Sequence, residues 1–266
     1  MDLLLFGTAL MLLIAVERLP RLQLHASPFF RPFFVSDFWY LATGAVLLSV
    51  VMRTQALPWA GIFSESIRQT LAEAPFMLTG GMALVLHDLG AYLLHMMLHR
   101  FTLLWEFHKV HHSSRTLDWL ATFRAHLCEH ALRHLLSPVL LIILGFPLIA
   151  VGMASLVTGV WAVLVHANLG GSWRWLEPVL ITPRLHRLHH VPATSTRNFG
   201  VFLSVWDRLG DTLVTDPTAA LQPTGVPGAV ERYPQTWPQQ FVEPFTRRTT
   251  YEQTAYKAAA PSYDAQ

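Results

Sequence analysis

The sequence predicts an all-α integral membrane protein with three N-terminal membrane helices, a helical hairpin and a cytoplasmic helical cap that carries a histidine cluster. Three observations support this prediction. The 266 residues are 52% hydrophobic and only 14% charged, whereas soluble domains contain about 25% charged residues. The apolar residues are gathered in segments long enough to enter a membrane. Of the fourteen histidines, all except His25 and His87 lie between residues 95 and 190.

The composition also excludes some classes of protein. The formal net charge of +2 gives no indication of a nucleic-acid partner. The single cysteine, Cys128, excludes an internal disulfide framework and any metal or iron–sulfur site built from several cysteines.

Three apolar segments in the N-terminal part predict membrane helices, over residues 3–16, 38–51 and 75–99. The first follows Met1-Asp2 without a basic region or a small-residue cleavage site, so we expect a retained helix rather than a signal peptide. It is short for a complete crossing, which makes a tilted or partial crossing an alternative. The second half of the third segment carries polar groups and must therefore leave the lipid or face the protein interior.

A fourth apolar block, residues 132–165, is too long for one membrane helix. A straight helix of this length, at about 1.5 Å per residue, would measure roughly 50 Å, against a hydrocarbon core of about 30 Å. Gly145 and Pro147 interrupt the block, and proline ends a helix because it lacks a backbone donor and clashes with the preceding turn. The block therefore predicts a helical hairpin, which returns His166 to the side from which residue 126 departs.

Basic residues set the predicted orientation. Arginines lie between the first two helices and again beside the histidines, and three crossings followed by a hairpin place both sets on one face, predicted to be cytoplasmic. We expect a bacterial inner membrane rather than the endoplasmic reticulum. The chain is predicted to comprise N-terminal membrane helices and loops over residues 1–73, a histidine-rich domain over residues 74–215 and a Pro- and Ala-rich, poorly ordered tail over residues 216–266.

The first histidine motif is H-x3-H, formed by His95 and His99. Side chains at positions i and i+4 lie one above the other on a helix, so two imidazoles with this spacing can share a metal ion. Asp88 and Tyr92 fall on the same helical stripe, whereas His87 points away from it. Asp88, with Tyr92 beside it, is therefore predicted to accept an imidazole N–H and to fix the tautomer of a ligand ring.

Two further motifs, HKVHH and HRLHH, share the pattern H-x2-H-H and place three histidines on one helical face. They comprise His108, His111, His112, His186, His189 and His190. A lone histidine on a helix is usually a hydrogen-bonded structural residue, but two such motifs beside an H-x3-H pair at a membrane boundary indicate a metal site. Imidazole suits zinc, copper, iron or nickel, and this many histidines exceed the coordination number of one ion, so the sequence predicts two ions.

Two other functions are compatible with these residues. A zinc-dependent membrane hydrolase would require a bound water and a general base, for which Glu106, Glu129 and Asp118 are candidates. A metal transporter or a non-catalytic metal-binding membrane protein is the second alternative, although transporter sites usually lie at mid-membrane whereas these histidines gather at one boundary. The zinc-protease motif H-E-x-x-H and the Glu-x-x-His pairs of soluble di-iron bundles are absent from the sequence.

Four segments, taken in order, resemble the fatty acid hydroxylase or sterol desaturase superfamily: DLGAYLLHMMLHRFTLLWEFHKVHHSSR, HANL, PRLHRLHH and NFGVFLSVWDRLGDT. The family pattern is H-x3-H, H-x2-H-H, a single histidine in H-x-N-L, a second H-x2-H-H, then N-[YF]-G and W-D-x-x-F-G-T. The resemblance covers roughly residues 83–214, within the histidine-rich domain, which is thereby predicted to be catalytic. It implies membrane enzymes with a di-iron centre, which use O2 and electrons from a redox partner to hydroxylate or desaturate lipid C–H bonds.

The resemblance also implies which residues bind metal. The ligands would be His95, His99, His108, His111, His112, His126, His166, His186, His189 and His190. Asn168 and Asp207 are candidates to hydrogen-bond a ligand ring, and either residue can instead cap a helix. At WDRLGDT, Gly210-Asp211 stands where the family has Phe-Gly, a departure that concerns the local turn and not the ligands.

The cofactors implied by the resemblance are two Fe2+ ions, for which zinc can substitute. The implied partners are a lipid substrate, O2, the membrane and a separate electron donor of the ferredoxin or cytochrome b5 type, because no segment of this sequence is expected to hold such a domain. The identity of the lipid and the choice between hydroxylation and desaturation are open at this point.

Overall fold

The structure, a computed structural model, describes residues 2–54, 65–171, 173–216 and 221–246. The α-helices in these ranges are α1 (Asp2–Glu17), α2 (Phe34–Thr54), α3 (Glu65–Glu73), α4 (Phe76–Arg100), α5 (Thr102–His112), α6 (Leu127–Ile143), α7 (Leu148–His166), α8 (Pro183–His190), α9 (Val205–Leu209) and α10 (Trp237–Thr246). Two 3-10 helices, Trp119–Phe123 and Pro192–Thr194, and two isolated antiparallel bridges complete the regular structure of the described ranges. The predicted all-helical class is confirmed.

Two helices, α4 and α7, are long and apolar enough to cross a membrane. Helices α1 and α2 contain shorter apolar stretches, Gly7–Glu17 and Phe34–Val50. At the N-terminal ends of α4 and α7, Met77 is 85% exposed and Leu148 is 59% exposed, as is typical of a surface that faces lipid. The number of crossings and the orientation of the chain stay predictions.

The predicted hairpin is present as α6 and α7. Helix α6 ends at Ile143 because Gly145 takes a left-handed backbone conformation, with a φ of 91°. The Gly145 N–H donates to the Ile142 carbonyl, and the Phe146 N–H donates to the Leu141 carbonyl, which is the Schellman arrangement that closes a helix at glycine. Pro147 then occupies the N-cap position of α7. The hairpin brings His166 back to the level at which α6 begins.

Helix α4 packs along both arms of this hairpin. Ala83 of α4 and Ala154 of α7 share one buried cluster, and such small side chains let two helices approach closely. Helix α4 also approaches α6 closely, since a Cβ added to Gly90 would lie 2.8 Å from the Ser137 Oγ. This packing fixes the direction in which the C-terminal half of α4 presents its two histidines.

The chain beyond residue 216 differs from its prediction. Residues 221–246 are folded against α2 and α5, and they bury Tyr233 and Gln240, whereas Val242 and Phe245 are exposed. The Tyr40 Oη of α2 donates to the Gln240 Oε1 at 3.0 Å. The prediction of a poorly ordered tail is therefore wrong for these residues, because tertiary hydrogen bonds outweigh their composition. The rest of the predicted tail, residues 247–266, lies outside the described residues, and the domain boundaries stay predictions.

Candidate metal centre

Nine of the predicted ligand histidines converge in two neighbouring groups. The first group contains His95, His99, His108, His112 and His189, and the second contains His111, His166, His186 and His190. Within each group, one ring nitrogen per residue lies within 4.8 Å of the corresponding nitrogen of every other member. The nine residues are between 0% and 5% exposed. Side chains from four helices therefore line two adjacent interior spaces with nitrogen atoms.

The turn between α4 and α5 builds the first group. His95 and His99 lie one helical turn apart on α4, with ring centroids separated by 5.2 Å. Phe101 is extended, with φ −94° and ψ 119°, and folds α5 back beside the end of α4. This reversal brings the ring of His108 to 5.0 Å from His95 and 4.7 Å from His99.

Each H-x2-H-H motif is divided between the two groups. Consecutive residues on a helix point about 100° apart, so His111 and His112 project in different directions, with ring centroids 5.8 Å apart. His112 joins the first group and His111 the second. On α8 the division is reversed, since His189 joins the first group while His186 and His190 join the second. The groups are therefore interlocked, and the rings of His112 and His190 stack between them at 4.6 Å.

The α8 motif is positioned by its first turn. Pro183 occupies the start of the helix, and the Thr182 side chain accepts a hydrogen bond from the Leu185 N–H at 3.3 Å. Both features are typical of helix N-termini. They fix where α8 begins, and so they fix which histidines face the two groups.

Main-chain carbonyls set the tautomers of two second-group histidines. His111 Nδ1 donates to the Arg124 carbonyl at 3.0 Å, and His166 Nδ1 donates to the Ala162 carbonyl at 2.7 Å. A neutral imidazole with a proton on Nδ1 carries a lone pair on Nε2. The two Nε2 atoms lie 3.1 Å apart. Two lone pairs at this distance repel each other unless a cation lies between them, so the arrangement fits a bound metal ion.

In the first group, too, Nδ1 donates a hydrogen bond and leaves the Nε2 lone pair available. His95 Nδ1 donates to the Phe199 carbonyl at 2.8 Å and His189 Nδ1 donates to the Arg197 carbonyl at 2.7 Å. His108 Nδ1 donates to Glu129 at 2.9 Å. The opposite nitrogen of all three rings, Nε2, is buried without a hydrogen-bond partner among the described residues. Buried polar atoms are normally satisfied, so these three also fit a metal ion, and imidazole nitrogen suits iron or zinc.

Burial favours the neutral form of the histidines on α5 and α8. Burial lowers the pKa of His111, His112 and His190 well below its ordinary value, and the charge of neighbouring histidines lowers it further. A neutral ring offers the lone pair that a metal ion requires. Trp105, which is 3% exposed, packs 4.9 Å from the ring of His99 and shields that side of the centre from water.

His126 is not part of the centre, and its prediction as a tenth ligand is corrected. It caps the start of α6, where its Nδ1 accepts from the Cys128 N–H at 3.1 Å. Its Nε2 donates to the Phe241 carbonyl at 3.2 Å. Both ring nitrogens are thus committed to main-chain groups, and the ring stacks on Phe241 rather than on another histidine.

Asp88 and Asp207, which were predicted to support the ligand rings directly, support them indirectly. Asp88 accepts from the Phe202 and Leu203 N–H groups and from Trp206 Nε1, at 2.8–3.0 Å, and it does not contact an imidazole in the described structure. Asp207 accepts from the Phe199 and Gly200 N–H groups. The two carboxylates therefore hold the loop whose Phe199 carbonyl orients His95.

Tyr92 and Asn168 also differ from their predicted roles. The Tyr92 Oη lies 3.3 Å from the Thr212 Oγ1, at the end of the loop held by Asp207. Asn168 bonds through its side chain to the main chain of His25, with its Nδ2 donating at 2.6 Å and its Oδ1 accepting at 3.1 Å. Neither side chain bonds to a ligand ring in the described structure, so both are structural supports.

Sequence reasoning missed the residues that do hold ligand rings. Glu129 was considered only as a general base, yet it accepts from His108 and forms an ion pair with Arg133. Arg124, whose carbonyl orients His111, is almost fully buried, and its guanidinium bonds to Asp37 of α2. The contacts of Glu129 with His108 and of Arg124 with Asp37 join residues far apart in the sequence, so a motif scan could not identify them.

Comparison with known proteins agrees with this geometry. Residues 81–212 match the fatty acid hydroxylase family. The ornithine lipid hydroxylase OlsE of Rhizobium tropici is 32% identical over 169 residues, which cover 63% of this chain and 50% of that protein. The alkylglycerol monooxygenase of Danio rerio is 28% identical over 132 residues, which cover 48% of this chain and 29% of that protein. The Delta(7)-sterol 5(6)-desaturase of Eremothecium gossypii is 34% identical over 125 residues, which cover 46% of this chain and 34% of that protein.

The fold and the site define an all-helical protein with two helices long and apolar enough to cross a membrane and two histidine groups that could hold metal ions. The chain spans half or less of the length of these curated relatives. No solved structure matches it significantly. Through residues 81–212 the chain belongs to the fatty acid hydroxylase and sterol desaturase superfamily, as the histidine motifs predicted.

Proposed function

We propose that this protein is a membrane di-iron oxygenase that hydroxylates a lipid C–H bond. The observation that carries the proposal is the convergence of nine imidazoles into two groups, neither of which contains a carboxylate among the described residues. Two such groups suit two iron ions. Bound iron would supply the reduction of O2 and the oxidation of the C–H bond, which no protein side chain can perform. Hydroxylation is favoured over desaturation because two of the relatives are named as a hydroxylase and a monooxygenase.

The role of the chain is to hold and shield the metal ions. Carbonyl groups and Glu129 fix the ring nitrogens that face inward. Phe199 packs 5.2 Å from the ring of His99 and 5.8 Å from the ring of His189, and with Trp105 it excludes water from the first group. A dry, fixed environment limits side reactions of O2 and keeps the ligands in place during turnover.

The zinc hydrolase alternative is disfavoured by the three carboxylates that would serve as its base. Glu129 is held by His108 and Arg133, and Glu106 is paired with Lys109 at 2.8 Å. Asp118 is paired with Arg31 and accepts from main-chain N–H groups of the following 3-10 helix. A general base must reach a metal-bound water, and all three carboxylates are engaged elsewhere.

The transporter alternative is disfavoured by the position of the ligands along the helices. His99 lies in the last turn of α4, and His166 is the last residue of α7. Transporter sites usually lie near the middle of broken membrane helices. Ligands at the ends of the two helices that are long and apolar enough to cross a membrane instead suit a centre at the membrane boundary, where a lipid chain and a soluble protein can both approach.

We further propose that electrons come from a separate protein of the ferredoxin or cytochrome b5 type. With a single cysteine, the sequence cannot hold a cysteine-ligated iron–sulfur cluster of its own. The histidine centre is proposed to face the cytoplasm of a bacterial inner membrane, because arginines accompany it in the sequence.

Metal analysis combined with O2 uptake tests the proposal. The purified protein is expected to contain about two iron ions per chain and to consume O2 only with a reductant and a lipid. His111→Ala should lower the iron content to about one ion per chain and abolish O2 uptake, because it opens the second group. His25→Ala, which alters an exposed histidine outside both groups, is the matched control and should leave both values unchanged. Zinc with O2-independent hydrolysis would refute the proposal.

Lipidomics can identify the substrate. Lipids from a strain that lacks the gene should be compared with those from the same strain carrying either the wild-type gene or His111→Ala. A product that exceeds its precursor by one oxygen atom supports hydroxylation. A product that lacks two hydrogen atoms would instead identify a desaturase.

A further inference from the structure

Helix α10 turns its apolar residues outward and its polar residues inward. Gln240 is fully buried and Glu243 is 7% exposed, whereas Val242 is 49% exposed and Phe245 is 57% exposed. A surface helix of a water-soluble protein normally does the reverse and buries its apolar stripe. The outer surface of α10 is therefore suited to an apolar environment rather than to water.

The outer surface of α10 has two parts. At about 100° per residue, the exposed apolar side chains of Phe241, Val242 and Phe245 fall within a sector of roughly 100°. The exposed polar residues Gln239 and Thr246 fall beside this apolar sector, between it and the buried residues. A helix that lies in a membrane surface directs an apolar face to the acyl chains and a polar face to water. Helix α10 has both faces, and its third face packs on the protein.

Helix α10 lies at the level where the apolar part of α2 begins. The Trp237 N–H donates to the Ser36 Oγ in the first turn of α2 at 3.2 Å, and the Tyr40 Oη in the second turn donates to Gln240. The apolar stretch of α2 is Phe34–Val50. Helix α10 also packs on α5, which starts just after α4 ends. The ends of membrane helices lie near the membrane surface, so α10 is at a suitable depth to contact that surface.

The sequence that follows α10 is basic. Its next two residues, Arg247 and Arg248, lie outside the described residues. Basic residues beside an apolar helix face favour a membrane that contains anionic lipids. An anionic lipid surface thus matches both the apolar sector of α10 and the charge that follows the helix in the sequence.

We propose that α10 is an in-plane membrane helix, with Phe241, Val242 and Phe245 inserted among the acyl chains of the lipid surface. The inference goes beyond the proposed function, because it identifies a surface that contacts the bilayer and requires neither iron nor catalysis.

This membrane contact also positions the first H-x2-H-H motif. Phe107 and Ser113 are the residues immediately before and after that motif. The ring of Phe245 packs 5.6 Å from the ring of Phe107, and the Gln240 Nε2 donates to the Ser113 Oγ at 2.7 Å. Helix α10 therefore holds both ends of the motif, and its depth in the membrane sets the depth of the metal groups.

The accessibility of spin labels in vesicles tests the proposal. Val242→Cys, Phe245→Cys and Gln239→Cys are each made in the full chain that carries Cys128→Ser, because Cys128 is exposed and would also be labelled. The labelled proteins are reconstituted into vesicles of phosphatidylcholine and phosphatidylglycerol, with zinc in place of iron because zinc has no unpaired electrons. Collisions of the label with O2, which concentrates in lipid, are compared with collisions with nickel ethylenediaminediacetate, which stays in water.

The labels on Val242→Cys and Phe245→Cys should show a severalfold higher ratio of O2 to nickel collisions than the label on Gln239→Cys, the matched control on the same helix. Equal ratios on Val242→Cys and Gln239→Cys would mean that the apolar sector faces water, and would overturn the proposal. Low collision rates with both reagents on Val242→Cys would also overturn it, because protein would then cover the sector. Dipolar broadening that is lost on dilution with unlabelled protein would identify that cover as a second copy of the chain.

Two further measurements complete the experiment. The three variants alter exposed positions and should unfold at the same temperature as the Cys128→Ser parent. Uptake of O2 is measured separately on the iron-loaded protein. A lipid-like ratio on Val242→Cys without O2 uptake would count against the proposed function alone, whereas a water-like ratio with intact O2 uptake would count against the in-plane helix alone.

Discussion

The Nε2 atoms of His111 and His166 face each other at 3.1 Å while each ring donates its Nδ1–H to a main-chain carbonyl. Neither ring can turn its proton inward without giving up a buried hydrogen bond to the chain. The repulsion between the two lone pairs is therefore built into the fold, and a bound cation converts it into two ligand bonds. The protein is consequently expected to be more stable with metal than without it.

Metal removal should lower the thermal unfolding temperature. A ligand that binds only the native state stabilises it by about 2.7 kcal/mol at one hundred times its dissociation constant. His166→Phe removes one of the two facing lone pairs, so the increase in unfolding temperature on adding Fe2+ should become smaller in this variant. The measurement is anaerobic thermal unfolding in detergent with Fe2+ or with a chelator. An equal increase in unfolding temperature in the wild-type protein and in His166→Phe would contradict the interpretation that His111 and His166 bind one cation.

Glu129→Gln should weaken metal binding more than it weakens the fold. The carboxylate accepts the His108 Nδ1–H and so makes that ring a better ligand. Loss of such a partner typically lowers metal affinity about 10- to 100-fold. The matched control is Glu106→Gln, which removes another buried carboxylate whose partner is Lys109. Competition with a fluorescent chelator should separate the two variants, and equal affinities would refute a role for Glu129 at the metal.

Arg124→Lys should destabilise the whole protein. The Arg124 guanidinium joins three parts of the chain, through Asp37 of α2, the Ser113 Oγ at 3.1 Å and the Gln235 Oε1 at 3.2 Å. A lysine ammonium keeps the charge but cannot bond to all three partners at once, and each buried hydrogen-bond partner left unsatisfied costs about 1–3 kcal/mol.

Arg68→Lys provides the control for this change. It alters an exposed ion pair with Glu65 and should change stability by no more than about 0.5 kcal/mol. Thermal unfolding of both variants in the same detergent measures the difference. Similar unfolding temperatures for the two variants would show that the buried network around Arg124 contributes little.

The clustering of nine histidines could be predicted from sequence because i, i+3 and i+4 spacing is a local property of helices. The failure at Asp88 is equally physical. Asp88 shares a stripe with His95, but seven residues at about 1.5 Å each place it roughly 10 Å away along the axis. Its carboxylate instead meets a loop more than one hundred residues later, through the Phe202 N–H. Angular position alone does not establish contact.

The remaining differences arise from contacts that have no local signal. His126 lies close in sequence to the first H-x2-H-H motif, but a helix begins immediately after it and its side chain caps that helix. The division of each motif between two groups depends on how α5 meets α8, which spacing does not encode. The folded segment at Gln240 is held by Tyr40, two hundred residues away in the sequence. The composition of this segment alone indicates an extended tail. The contacts that hold the segment folded involve distant residues and leave no signal in its own sequence.

Gly210 closely approaches Tyr92 in the turn of the WDRLGDT segment. The φ of Gly210 is −86°, which any residue can adopt, but an added Cβ would lie 2.2 Å from the Tyr92 Oη. Gly210→Ala should therefore destabilise the protein by about 1–3 kcal/mol through overpacking. The same change should lower iron occupancy, because the loop from Phe199 to Thr212 supplies the carbonyl that orients His95.

A double-mutant cycle tests this pair. Tyr92→Phe removes the clashing oxygen, so Gly210→Ala should cost less when it is combined with Tyr92→Phe, with a coupling energy of about 0.5–3 kcal/mol. Gly81→Ala on α4 is the control, because an added Cβ there meets no atom within 4 Å. This control should be neutral or slightly stabilising, since alanine favours helix more than glycine does. Strict additivity between Tyr92→Phe and Gly210→Ala would mean that the close approach of these residues does not determine the turn.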